Sequence, residues 1–461
     1  MSFRGCIVRS DPRQEEIGRV LKSVALNSVR KVLPDRAVDT ACQAADYEYR
    51  QRLLVPVVVV LHMVMAALSP EGSFAASWSS LWCRLVGALP GAAGRSPDSG
   101  ALSKARRRLP LKVFERVFEW LSKQFQAQAG VTDMWRGLRQ VLVDGTHVSM
   151  PATPELFAAF DRGHGKHGSF RYPIARVVTL ALAESMGVVA YKMGGYLTSE
   201  KSLLRDILGR LSPGDLLIGD RGFAGAKLYV EYLRAGLQFV TRAHQCLKLG
   251  RLPRMKSFSE GDFVTELKVN PAYIRQDPSL PKKLPVRVIK VEARVRGIHE
   301  VIWLVTSLLD AAAYPAAEIA ELYLRRWRIE GSIRELKVGM GADVLRSKSP
   351  DGVRKELAAR MIALNVVHSI VLEAAGKHGL QPVRISFVNA TRAVVNFAAA
   401  MASAPVRTLP TLYDAMLTEV ASNTVPHRPD RIEPRALRRE KNNYPALRST
   451  RADWRAAQLR A

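Results

Sequence analysis

The sequence predicts a multi-domain α/β protein with an all-helical N-terminal domain and a mixed-sheet core that carries a β-rich insertion. Three observations carry that expectation. Apolar residues recur at about 3.6-residue intervals up to about residue 130, and after Trp135 they form short strand-like runs instead. Two of those runs, 141-VLVD-144 and 216-LLIGD-220, are almost wholly apolar and each delivers an aspartate. With 461 residues and 48% hydrophobic content, the chain is long enough for about two to four domains around a substantial core.

The N-terminal domain is expected over residues 1–135. Segments 15–25 and 111–125 have helical apolar spacing. The most apolar stretch, 53–68, is shorter than the roughly 20 residues of a membrane-spanning helix and carries Pro56 and His62, so it reads as a buried helix and no membrane is expected. Between these, Ser99 and Gly100 open a helix that ends before Pro110 and carries Lys104, Arg106, Arg107 and Arg108. That helix is either a DNA-reading element or a basic surface; periodicity does not choose.

The core is expected to begin at residue 136. Strands are predicted at 139–144, 174–185 and 188–196, a helix at 199–211, a strand at 215–220, a helix near 225–236 and a strand at 237–243. Three strands, helix, strand, helix, strand is the order of a ribonuclease-H-like domain, in which the first and fourth strands are adjacent and parallel. The first part of this core takes residues 136–249. Further strands at 262–269, 285–295 and 300–308 form a β-rich insertion over 250–306, and 307–400 completes the core with a helical run over 320–343. Residues 401–461 read as a helical segment followed, from Pro426, by an extended basic arm with Tyr444 and Trp454.

Charge narrows the partner. Sixty-nine Lys and Arg against 42 Asp and Glu give +27, spread along the whole chain, which favours a polyanion and above all nucleic acid. Cys6, Cys42, Cys83 and Cys246 are far apart and lack zinc spacing, so neither a disulfide framework nor a structural zinc is expected. The N-terminus has charges where a signal peptide needs an apolar run, and a cytoplasmic protein is the expectation. His164 and His167 lie in a Gly-rich basic loop that suits phosphate contact better than metal ligation. No Gly-x-Ser-x-Gly or P-loop sequence occurs, so a serine hydrolase and an ATP-driven machine both lack support.

Candidate chemistry lies in three carboxylates. Asp144 and Asp220 follow apolar strands, where a parallel sheet opens onto its ligand crevice, although Asp144–Gly145 could also be a simple turn and Asp220 could pair with Arg221. On the 320–343 run, Tyr323, Arg326, Glu330 and Lys337 fall within a stripe roughly 60° wide at about 100° per residue. Glu335 points roughly 140° from Glu330, and Glu321 faces the far side. Taken alone, such a helix could be a solvated face with i,i+4 pairs. Combined with Asp144 and Asp220, it could supply the third carboxylate to hold two Mg²⁺ ions about 4 Å apart, with Mn²⁺ able to substitute, for an in-line phosphoryl transfer.

These residues sit in motifs that resemble the DDE transposases of the insertion-sequence-four family: VDGT around Asp144, DRGF around Asp220, YxxRWxIExxxRELK from Tyr323 to Lys337, LRSKSPDGVRKELAARMIALNVV from Leu345 to Val367, and RISF from Arg384 to Phe387. The resemblance covers about residues 136–400. It implies that Asp144, Asp220 and Glu330 are the catalytic metal ligands, and that Tyr323, Arg326 and Lys337 hold the DNA of the element end. It also implies double-stranded DNA as partner, a homodimer or higher oligomer in the synaptic complex, and work at the bacterial nucleoid. Relatives can stack an extruded base on a Trp of the strand before the catalytic helix, which makes Trp303 a DNA-binding candidate; it counts one residue out of register, which would reverse its face and suit a core Trp instead. The function expected is cleavage of inverted-repeat ends and joining of the 3′-OH to target DNA. A metal-dependent nuclease without strand transfer and a catalytically idle DNA-binding regulator are the alternatives.

Overall fold

The structure is a computed structural model. It describes residues 27–425, apart from 51–53, 70–72, 89–95, 166–167, 246, 248–251, 296–297 and 403, together with position 456. The predicted helix at 15–25 and the basic arm from Pro426 lie outside the described residues, as do the side chains of His164 and His167.

Six helices open the described chain: α1 (Asn27–Val32), α2 (Asp35–Ala44), α3 (Pro56–Leu68), α4 (Phe74–Ala88), α5 (Ser99–Arg108) and α6 (Leu111–Ala129). Every residue of α3 is buried, as its unbroken apolar run requires. Asp98 caps α5, its Oδ1 accepting from the Ala101 amide at 2.6 Å, and Leu109–Pro110 ends the helix.

The core follows as β1 (Met134–Trp135), β2 (Leu138–Ser149), α7 (Pro154–Phe160), a small hairpin of β3 (His164–Gly165) and β4 (Gly168–Ser169), β5 (Ile174–Leu182) and β6 (Val188–Gly195). Next come α8 (Glu200–Leu208), β7 (Asp215–Gly219), α9 (Ala226–Arg234) and β8 (Gln238–Arg242). Their spatial order is β6-β5-β2-β7-β8, with β2–β7 and β7–β8 parallel and the other pairs antiparallel. This is the ribonuclease-H-like arrangement. Val141, Leu142 and Val143 are fully buried because β2 is central and both of its faces are covered.

The insertion comprises β9 (Lys256–Ser259), β10 (Asp262–Lys268), the short helix α10 (Pro271–Gln276), β11 (Lys283–Val295) and β12 (Ile298–Thr306). Its strands continue the core sheet in the order β8-β12-β11-β10-β9, with β12 antiparallel to β8. Val286, Val288 and Phe263 accordingly share one apolar cluster with Val143 and Phe239. A second unit contains residues 293–300, the distal ends of β11 and β12.

The remaining elements are α11 (Ala316–Leu324), α12 (Arg328–Arg334), α13 (Pro350–His378), α14 (Phe387–Ala402) and α15 (Leu409–Ser422). Helix α13 starts with a Ser349 cap and Pro350 in its first turn, and stops at Gly379, whose φ of 65° lets it turn left-handed where a side chain would be strained. By length and composition α13 could cross a membrane, but 94% of its apolar window is buried within the protein. It packs along α3 and α6, so the N-terminal helices and α13–α15 share one apolar cluster. Asn365 fastens it to the edge strand β6, its Oδ1 accepting from the Val188 amide (2.8 Å) and its Nδ2 donating to the Val188 carbonyl (2.9 Å). Those are backbone groups that an edge strand would otherwise leave unsatisfied. Lys355 reaches the C-terminal end of α5, its Nζ donating to the carbonyls of Arg106 (3.1 Å) and Arg107 (3.2 Å).

Candidate active site

The last parallel pair between β2 and β7 is Val143 with Gly219, so Asp144 and Asp220 each stand one residue beyond it on neighbouring strands. Val141, Val143 and Leu217 belong to the apolar cluster covered by α8 and α9. The two-residue strand period therefore turns Asp144 and Asp220 to the opposite face, where α11 and α12 pack on β8 and β2. Asp144 does not end its strand: β2 runs on to Ser149 because β5 is long enough to pair with it as far as Ile174. Asp144–Gly145 is thus strand backbone and not a turn. Asp220 does end its strand, and its Oδ1 accepts from the Gly222 amide at 2.7 Å to cap the turn Arg221–Phe223.

Burial pushes the Asp144 carboxyl up to about 6, with added repulsion from Asp220 and Glu200; the Gly145 amide and the Arg326 cation act against this. A carboxyl raised in the fold favours the protonated form, so its contribution is complete at low pH and is lost as pH rises through about 6. In EDTA, Asp144→Asn should melt at the same temperature as the wild type near pH 4 and higher than it at pH 8. A melting difference that does not change across that range would contradict the burial of Asp144.

The 320–343 run is not one regular helix. It consists of α11, a 3₁₀ turn Arg325–Trp327, α12, and a π-helical turn Glu335–Gly339. The middle of the predicted stripe still assembles: Arg326 lies 5.8 Å from the centre of the Tyr323 ring, hydrogen-bonds its phenol, and reaches Glu330 Oε1 at 3.9 Å. Tyr323 and Arg326, expected at the DNA, are only 3% and 9% exposed, whereas the Glu330 side chain is 45% exposed. Arg326 therefore acts electrostatically on Asp144 and Glu330 together. Lys337 bonds Asp343 Oδ1 at 3.1 Å and lies near enough to His147, on β2, to help hold its imidazole below the usual range, after burial and Arg176. Glu335 turns the other way and meets His368 of α13 at 3.3 Å.

The other predicted contacts are dispersed. Trp303 lies two residues before Val305, and Val305 pairs with Thr241, whose hydroxyl bonds Tyr229 of α9. Trp303 therefore packs into the cluster on the far side of the sheet from Asp144. Lys104, Arg107 and Arg108 are exposed on α5, while Arg106 folds back over the Phe74 ring at 4.1 Å.

Three residues beside the aspartates were not singled out from sequence. Glu200 opens α8, Arg176 donates from Nη1 to the Thr198 carbonyl at 3.1 Å and from Nε to His147 Nε2 at 3.3 Å, and His147 follows Asp144 on β2. Glu200 is inconspicuous because a Ser cap followed by an acid is an ordinary helix start.

Among the described residues, no three His, Cys, Asp or Glu side chains are gathered closely enough to hold a metal ion. The donor chemistry of the Asp144–Asp220 pair nonetheless fits a hard divalent cation. Both are oxygen donors on adjacent strands, and Asp144 resists ionising without a counter-charge. Glu330, on the helix over the same face, is paired with Arg326 in this state.

Residues 135–366 match the family model of the transposase DDE domain. The transposase InsG of insertion sequence element IS4 from Escherichia coli (strain K12) is 27% identical over 351 residues, 75% of this chain and 77% of that protein. Among solved structures, a piggyBac transposase in a synaptic complex with hairpin DNA aligns over 84% of both chains at 11% identity, with a TM-score of 0.41. The chain belongs to the DDE transposases, in the insertion-sequence-four family, enzymes that cleave and transfer DNA strands.

Proposed function

We propose that this transposase binds the inverted-repeat ends of an insertion sequence, cuts the 3′ strand with water, and joins the freed 3′-OH to target DNA by transesterification, so that the element moves by cut-and-paste. The observation that carries the reading is the placement of Asp144 and Asp220 on adjacent parallel strands beneath the helix of Glu330. Divalent ions bound there, two Mg²⁺ with Mn²⁺ able to substitute, would activate the attacking hydroxyl and neutralise the leaving oxygen. Asp144, Asp220 and Glu330 are the residues that would hold them.

The surrounding groups position the strand. Lys337, beside Asp343, supplies a cation for the strand, while Arg326, braced by the buried Tyr323, orients Glu330. The exposed Lys104, Arg107 and Arg108 of α5 offer a second phosphate-binding surface. Pairing of two ends calls for a dimer or higher oligomer on DNA, acting at the bacterial nucleoid. A net charge of +27 spread over several such surfaces implies release of many counterions. End binding measured against salt should give a log-log slope steeper than about −3; a shallower slope means that fewer than about four phosphates are neutralised and removes the basic surfaces from the account.

A further inference from the structure

A carboxylate from outside the Asp144, Asp220 and Glu330 set approaches the glycines at 145 and 222, beside both aspartates. Glu200 is the first residue of α8, fixed by the Ser199 cap whose hydroxyl accepts from the Ser202 amide at 3.1 Å. Helix α8 covers the face of the sheet opposite α12, yet its N-terminus brings the Glu200 carboxylate over the glycines that follow the two aspartates. A Cβ at Gly145 would lie 2.3 Å from Glu200 Oε1 and 2.6 Å from its carboxyl carbon. A Cβ at Gly222 would lie 2.9 Å from Asp220 Oδ1 and 3.6 Å from Glu200 Oε2. Any side chain at 145 would expel this carboxylate, so the glycine notch is what admits it.

The arrangement sets like charges together. Asp220 Oδ1 and Glu200 Oε2 both border the space that a Gly222 Cβ would take. An acid at a helix start is ordinarily there for the helix dipole, a role that an exposed position serves as well as the Gly145 notch does. Repulsion accumulated at one point is instead what an incoming cation relieves.

We propose that Glu200 is a fourth carboxylate of the active site, a positioning residue that draws a divalent cation to Asp144 and Asp220. The inference rests on the reading of those two aspartates as metal ligands. The test is Mn²⁺ titration of the full-length protein without DNA, followed by electron paramagnetic resonance, for the wild type, Glu200→Gln, Glu200→Asp and Asp144→Asn. Circular dichroism and melting in EDTA report the fold of each. Glu200→Gln should weaken Mn²⁺ binding about tenfold or more while remaining folded, and Glu200→Asp should retain part of the affinity. Cleavage by Glu200→Gln should fail at low Mn²⁺ and recover as Mn²⁺ is raised, which a purely structural role for Glu200 would not produce. If Glu200→Gln binds Mn²⁺ as the wild type does while Asp144→Asn does not, Glu200 has no such role and the aspartate assignment stands. If neither variant loses affinity, the aspartate assignment itself fails.

Discussion

Asp144→Asn or Asp220→Asn is expected to abolish strand nicking in Mg²⁺ and to leave binding to end DNA nearly intact. Each substitution keeps size and removes an anionic oxygen donor at the point where β2 and β7 stop pairing. Loss of a ligand worth several kcal/mol to the transition state lowers the rate by about a thousandfold or more. The cations proposed to hold phosphates, Lys104, Arg107 and Arg108 of α5 and Lys337, are untouched by these substitutions, so their contacts should survive. Gel shifts and cleavage on the same DNA separate the two effects, and residual nicking at a tenth of the wild-type rate would remove the assigned role.

Glu330→Gln should be as damaging, and Glu335→Gln mild, although the two glutamates are five residues apart on the same run. Glu330 is on the face of Arg326, which also acts on Asp144, whereas Glu335 points into α13 against His368. Gln at 330 preserves helix propensity and the hydrogen-bonding shape but loses the charge that balances a bound cation. Single-turnover cleavage should fall by orders of magnitude for the first and by no more than a few-fold for the second, with unchanged melting for both. An essential Glu335 beside a dispensable Glu330 would overturn the placement of this helix.

What the chain disclosed before folding depended on how local each signal was. The strands around Asp144 and Asp220 announced themselves by apolar runs, and the order of elements was enough to place β2 beside β7. The extension of β2 past Asp144 was hidden, since an Asp-Gly pair is compatible with a turn and only the partner strand β5 decides otherwise. Helical phase located Tyr323, Arg326, Glu330 and Glu335 correctly relative to one another, but the 3₁₀ and π turns flanking α12 depend on packing against α13 and β2. Trp303, a DNA-binding candidate from its place before the catalytic helix, instead packs on the face away from Asp144, as its one-residue offset in the strand allowed. Glu200 was illegible because its distance from the aspartates is set by the pairing of β5 with β2 and the docking of α8, neither of which marks residue 200 itself.

The measurement that bears most directly on the central claim is joining. A double-stranded end with its 3′-OH already exposed is incubated with target DNA and Mg²⁺, so that end cleavage is bypassed and only transesterification is read. The wild-type protein should produce the joined strand, and Asp144→Asn, Asp220→Asn and Glu330→Gln should bind the end yet produce none. Efficient end cleavage by the wild type without any joined product would mean a nuclease, and joining by any of the three variants at the wild-type rate would contradict a shared carboxylate centre.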